Sequence, residues 1–172
     1  DCYNASPTSM ESSLSVLGGM ECSGRKCAVL GDMLELGEMS AQLHAGVAEY
    51  ITKNADCAFL YGAEMANCRE ALERSGFEVH HSTDKAALTA ELLSWLRPGD
   101  IALFKGSRGM RMERAVFRRI GFHRSSFGRY LFKCIEFSAG RTFTVPAGIL
   151  VPALTAYVNC FFTFHFNHLM PP

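Results

Sequence analysis

The stretch KCAVLGDMLELG, residues 26–37, decides the fold. It opens with a run of apolar side chains, which is typical of a strand buried on both faces of a parallel sheet. Gly31 ends this strand, and Asp32 lies at its carboxyl end. Apolar residues at helical spacing follow Ser40, which we take as the N-cap of a helix. This order predicts a βα unit, and ligands of such sheets bind beyond the carboxyl ends of the strands.

The same alternation of apolar strands and amphipathic helices continues to about residue 116. It predicts an α/β fold, a three-layer sandwich with a mostly parallel, Rossmann-like sheet. The predicted strands are 26–30, 56–61, 77–80 and 100–104. The predicted helices are 7–17, one capped by Ser40, 66–74, one capped by Thr83 or Asp84 and running to 96, and 110–117.

Composition separates the chain into two parts. The formal net charge is zero, which gives no general attraction to nucleic acid, and we predict no nucleic-acid partner. Residues 116–172, however, contain a single acidic residue, Glu136, and most of the phenylalanines. The seven cysteines are scattered without a CxxC pair, which favours reduced thiols and a cytoplasmic location over a disulfide framework or a zinc site.

Three polar turns follow predicted strands or precede predicted helices. The first runs from Asp1 to Pro7, the second is Gly31–Gly37, and the third is Lys-Gly-Ser-Arg at 105–108. Each alone has an ordinary explanation as a turn or a helix entry. Because all three are expected at the carboxyl edge of one sheet, a binding site is the favoured interpretation, and the third turn suits an anion.

These three motifs, in this order and spacing, resemble the C-terminal domain of the Mur ligases over residues 1–116. The quoted residues are DCYNASPTSM at 1–10, LGDMLELG at 30–37 with His44 after it, and KGSR at 105–108 with Met112 and Glu113. Ser6 stands where many relatives have a second asparagine. The chain is most similar to the member that joins D-Ala-D-Ala to UDP-N-acetylmuramoyl-tripeptide.

The resemblance implies a reaction and two sets of contacts. ATP would phosphorylate the tripeptide carboxylate, and the amine of D-Ala-D-Ala would attack the acyl phosphate. Nucleotide contacts are implied for Asp1, Tyr3 and Asn4. His44 is expected to hold the second motif on its helix. The D-Ala-D-Ala pocket is implied for Ser6, Asp32, Glu35, Lys105, Ser107 and Arg108.

No Gly-x-x-x-x-Gly-Lys-Ser/Thr phosphate loop occurs in the sequence. The resemblance implies that ATP and Mg²⁺ are held mainly by a preceding central domain, so that this chain would be a truncated ligase. We assign it neither catalytic residues nor metal ligands and expect it to be inactive alone. The rival hypothesis is a freestanding anion- or nucleotide-binding α/β module without catalysis.

The tail, residues 117–172, departs from the family pattern. A Phe-, Arg- and His-rich stretch leads into an apolar segment, 144–166, whose length approaches that of a membrane span. Prolines and polar residues interrupt that segment, and neither helical nor alternating periodicity holds. We favour a non-native tail, such as one arising from a frame error, over a membrane-associating appendage or an authentic packed extension.

Overall fold

The computed structural model describes residues 5–112 in full, and the backbone of 130–134 and 162–166. Strands and helices alternate through the first range. The helices are α1 (Pro7–Gly19), α2 (Ser40–Asn54), α3 (Ala66–Arg74) and α4 (Lys85–Trp95). The strands are β1 (Lys26–Gly31), β2 (Cys57–Tyr61), β3 (Val79–Ser82), β4 (Ile101–Lys105), β5 (Tyr130–Cys134) and β6 (Phe162–Phe166).

The strands form one sheet in the order β3-β2-β1-β4-β6-β5. Strands β1 to β4 are parallel, whereas β6 pairs antiparallel with β4 and β5 pairs antiparallel with β6. The prediction of a mostly parallel α/β sheet is therefore confirmed. Parallel pairing places the carboxyl ends of β1 to β4 at one edge, called the carboxyl edge below.

Two apolar layers cover the faces of the sheet. Alternate residues such as Leu30, Leu60 and Leu103 belong to the core that includes residues of α1, α2 and α3. Their neighbours, such as Phe59 and Phe104, pack with residues of α4 on the other face. The central strands are buried on both sides, which explains why β1 reads as a continuous apolar run rather than an alternating one.

Several predicted boundaries were wrong. Strand β3 begins at Val79, two residues later than predicted. Ser40 is the first residue of α2 and not its N-cap, because a 3₁₀ turn, Gly37–Met39, runs directly into the helix. The helix predicted from residue 110 has not begun there, since Arg111 has a left-handed backbone with φ of 46°. Residues 113–117 of that prediction lie outside the described residues.

The tail contributes β5 and β6 to the sheet. The rest of 113–172 lies outside the described residues, and the origin of the tail stays a prediction. In the described part of the chain, no helix combines the length and apolar character needed to cross a bilayer.

Candidate anion site at the carboxyl edge

Ser107 joins the loops that follow β1 and β4. Its amide donates to the carbonyl oxygen of Asp32 at 3.0 Å, and its hydroxyl accepts from the amide of Leu34 at 2.8 Å. The side chain is almost fully buried. Two motifs that lie about 70 residues apart in sequence therefore meet at the carboxyl edge, as predicted. The Ser107 hydroxyl acts by fixing the loop after β1.

The Asp32 carboxylate points into the protein and not to solvent. It is 6% exposed, and its Oδ1 accepts from the amide of Met65, next to the first residue of α3, at 2.9 Å. A carboxylate here also complements the positive end of the helix dipole. Gly62 passes so close to it that an added Cβ would overlap the carboxylate. Asp32 thus ties the end of β1 to the start of α3.

His44, in helix α2, holds the second motif, Gly31–Gly37, in place. It is fully buried in α2, and its Nε2 accepts from the amide of Met33 at 2.9 Å. Its Nδ1 lies 2.8 Å from the carbonyl oxygen of Ser40. Because Nε2 accepts, the proton belongs on Nδ1, which donates to that carbonyl. The geometry agrees with the structural role expected from the sequence.

Replacing His44 by leucine should destabilise the fold by about 2 kcal/mol, because the buried amide of Met33 would lose its acceptor. His44→Gln retains an acceptor and should cost less than half as much. Urea unfolding of the 172-residue chain measures both values. Equal losses for the two variants would show that packing, and not the hydrogen bond, accounts for the role of His44.

Close backbone packing requires the two glycines at the carboxyl edge. A Cβ on Gly106 would lie 3.0 Å from the Cα of Gly31, and a Cβ on Gly31 would lie 2.7 Å from the sulfur of Met112. Larger residues at either position would separate β1 from β4 at their ends. Met112 covers both glycines, a contact that no local sequence signal indicated.

Lys105 is a buried cation on the same edge. It ends β4, pairs in register with Leu30 and is 8% exposed. Desolvation lowers the pKa of its ammonium group from the ordinary value. Within the described residues, no side chain or carbonyl forms a hydrogen bond or ion pair with it. A cation that is this strongly desolvated becomes more favourable when an anion joins it.

The other predicted contacts differ in their surroundings. Arg108 and Glu35 are exposed, and Glu35 has a left-handed backbone with φ of 66°. Ser6 is the N-cap of α1, and its hydroxyl accepts from the amide of Ser9 at 3.3 Å. The predicted nucleotide contacts lie outside the described residues: Asp1, Tyr3 and Asn4.

Lys85 was missed by the sequence analysis. From the start of α4, its ammonium donates to the carbonyl oxygens of Met110 and, at 3.3 Å, of Arg111. It also lies 4.5 Å from the centre of the Tyr61 ring. Lys85 thereby holds the loop after β4 in place. A lysine at the start of a helix does not by itself predict such a contact.

The chemistry of the edge suits an anion rather than a hard divalent cation. Lys105, the last residue of β4, and Arg108, in the loop after it, provide positive charge, whereas Oδ1 of Asp32 accepts from a backbone amide. Glu64 likewise accepts from the hydroxyl of Ser40 at 2.8 Å. Magnesium needs several free oxygen ligands. Among the described residues, no group of three His, Cys, Asp or Glu ligand atoms meets at this edge, whereas Lys105 and Arg108 suit phosphate or carboxylate groups.

Comparison with known proteins identifies the family. Residues 1–108 match the model of the Mur ligase, glutamate ligase domain. The Bacillus subtilis UDP-N-acetylmuramoyl-tripeptide–D-alanyl-D-alanine ligase is 39% identical over 120 residues, covering 67% of this chain and 26% of that protein. The Haemophilus influenzae enzyme of the same name is 34% identical over 124 residues, covering 68% of this chain and 26% of that protein.

Solved structures give the same result. MurF ligase from Thermotoga maritima, crystallised with ADP, aligns with a TM-score of 0.54 and 29% identity over 68% of this chain and 26% of that one. MurF from Acinetobacter baumannii aligns with a TM-score of 0.60 and 28% identity over 67% of this chain and 26% of that one. The chain thus spans about a quarter of the length of these relatives. It belongs to the Mur ligase family, through the domain described as the glutamate ligase domain.

Proposed function

We propose that this chain is the C-terminal part of an ATP-dependent ligase that joins D-Ala-D-Ala to UDP-N-acetylmuramoyl-tripeptide in peptidoglycan precursor synthesis. The similarity to ligases of that name supports the proposal. The observation that carries it is the buried cation of Lys105, three residues before the exposed guanidinium of Arg108, at the carboxyl edge. A reaction through an acyl phosphate brings phosphate and carboxylate groups together, and both need such cations.

Each residue has a separate role in this proposal. The guanidinium of Arg108 would pair with the carboxylate of D-Ala-D-Ala in a bidentate geometry. Lys105 would balance phosphate charge, and Glu35 would face the amine of the dipeptide. Asp32 and Ser107 would act as positioning residues, because their side chains are occupied within the fold.

ATP and Mg²⁺ would be held mainly by a central domain of the complete enzyme. The 172 residues contain no phosphate loop, and no group of three metal-binding side chains meets at the described part of the carboxyl edge. Asp1, Tyr3 and Asn4 remain our proposed nucleotide contacts. A polypeptide of these 172 residues should therefore neither hydrolyse ATP nor ligate.

A chimera tests the proposal. Residues 1–172 would replace the matching C-terminal quarter of the Bacillus subtilis ligase. We expect phosphate release only when ATP, UDP-N-acetylmuramoyl-tripeptide and D-Ala-D-Ala are all present. The Bacillus protein without its last quarter and the 172-residue chain alone should both be inactive. A folded chimera that forms no product would contradict the proposal.

The rival is a freestanding anion- or nucleotide-binding module, which the desolvated ammonium of Lys105 also allows. It predicts that the isolated chain binds ATP tightly and that the chimera is inactive. The ligase hypothesis predicts that the isolated chain does not bind ATP tightly and that the chimera is active. We also propose a cytoplasmic location, which is consistent with the free thiols at Cys22, Cys27, Cys57 and Cys68.

A further inference from the structure

A cluster of three metal-binding side chains lies away from the carboxyl edge. Cys57 is the first residue of β2, Glu78 precedes β3, and His80 lies within β3. One ligand atom from each, the cysteine sulfur, a carboxylate oxygen and a ring nitrogen, lies within 4.8 Å of the others. Cys57 is buried and Glu78 is exposed, so the cluster is open to solvent on one side.

The imidazole of His80 is oriented with a free nitrogen toward this cluster. Its Nδ1 lies 2.7 Å from the carboxylate of Glu91 in α4, and its ring stacks on Phe59 at 4.4 Å. Within the described residues, its Nε2 is buried and has no hydrogen-bond partner. A carboxylate on one histidine nitrogen commonly holds the other nitrogen ready for a metal ion.

Glu78 is fixed beside that nitrogen. The indole nitrogen of Trp95 donates to its Oε1 at 2.6 Å, and the same oxygen lies 3.5 Å from Nε2 of His80. Desolvation raises the pKa of Glu78, but the neighbouring Trp95 and His80 favour its charged form, and the net pKa is lowered. A carboxylate is therefore present at neutral pH.

We propose that Cys57, Glu78 and His80 bind a divalent transition-metal ion of the zinc class. These sulfur, oxygen and nitrogen donors are the ligands that zinc takes in proteins. In a tetrahedral site, a nitrogen and an oxygen each at about 2.0–2.1 Å from the ion lie about 3.3 Å apart. The observed 3.5 Å between Nε2 and Oε1 needs only a small adjustment.

Binding is an exchange without redox chemistry. The thiol of Cys57 releases its proton to solvent as the sulfur–metal bond forms, and the ion loses waters of hydration. Cys27 lies beside Cys57 in the sheet but does not belong to the group of ligand atoms, which come from Cys57, Glu78 and His80. A water molecule would complete the coordination on the exposed side, where Glu78 lies.

The bound ion would hold β2, β3 and, through Glu91, α4 together. Cys57 lies at the amino end of β2, whereas the anion site lies at the carboxyl edge. The ion should therefore stabilise the fold without joining the ligation chemistry. This inference does not depend on the proposed function.

Cobalt(II) is the probe, because thiolate coordination gives it an intense charge-transfer absorption. The reduced 172-residue chain should bind one Co²⁺ per chain with that absorption, and Zn²⁺ should displace it and raise the melting temperature. Cys57→Ser should remove the charge-transfer band, and His80→Gln should weaken binding at least 100-fold. The control variant Cys22→Ser changes a thiol that is outside the cluster and should leave the spectrum unchanged.

Two further variants test the site at exposed residues, where a loss of binding cannot be attributed to misfolding of the core. Glu78 is exposed, so Glu78→Gln should fold and yet weaken binding. Glu91→Gln should weaken it about 10- to 100-fold while keeping the charge-transfer band, as expected for a residue that orients a ligand. Absence of Co²⁺ binding to the reduced chain, or an unchanged band in Cys57→Ser, would overturn the proposal.

Discussion

Replacing Gly62 by alanine is expected to destabilise the fold by about 3 kcal/mol or more. Gly62 has φ of 117°, a backbone conformation that strains any residue with a Cβ. The new methyl group would also overlap the carboxylate of Asp32. Moving that carboxylate would break its hydrogen bond with the amide of Met65. Strain and a lost buried hydrogen bond therefore add at one position.

Two glycine controls separate these effects. Gly76 has φ of 73° but open space around its Cβ position, so Gly76→Ala should cost only about 1 kcal/mol from backbone strain. Gly46 lies inside α2 with nothing near its Cβ position, and Gly46→Ala should stabilise by about 0.5–1 kcal/mol. Urea unfolding gives all three values. A loss at Gly62 no larger than that at Gly76 would contradict the described contact with Asp32.

Lys105→Met should change activity and stability in opposite directions. In the active chimera, kcat/KM should fall about 100-fold, because phosphate charge loses its buried cation. In the isolated chain, the free energy of unfolding should rise by about 1 kcal/mol, because a desolvated ammonium that no described residue pairs is replaced by an apolar side chain. Lys53→Met is the control: its ammonium is exposed and bonds Glu49 at 2.6 Å, so neither quantity should change much.

The stability difference should depend on pH. Since desolvation lowers the pKa of Lys105 below its ordinary value of 10.5, the unfolded chain holds this proton more tightly than the folded chain does. The destabilisation is therefore complete below the folded pKa and disappears as pH rises toward 10.5. Chemical unfolding of wild type and Lys105→Met between neutral pH and pH 10 measures the difference in their free energies of unfolding. A difference in the free energy of unfolding that widens with pH would contradict a desolvated ammonium at Lys105.

The sheet could be predicted from the sequence because its physical cause is local. β1 is apolar at consecutive positions, since both of its faces are covered, and Gly31 and Asp32 mark where it ends. The meeting of Asp32 with Ser107 also followed, because the carboxyl ends of parallel strands share one edge.

The actual partners of these residues could not be predicted. Asp32 caps α3 through Met65, which is 33 residues away in sequence, and no short-range pattern encodes that contact. The burial of Lys105 depends on tertiary packing, since a lysine at the end of a strand more often reaches solvent. Ser40 looked like an N-cap, but its hydroxyl bonds Glu64 because a 3₁₀ turn precedes the helix.

The most direct test of the carboxyl edge as the dipeptide site is the KM of the chimera for D-Ala-D-Ala. Arg108→Ala should raise that KM about 100-fold with little change in kcat, because a bidentate contact with a carboxylate is lost. Arg111 is exposed three residues further along the chain, and Arg111→Ala is the matched control that should leave KM unchanged. An unchanged KM in Arg108→Ala, or the same increase in both variants, would contradict the proposed site.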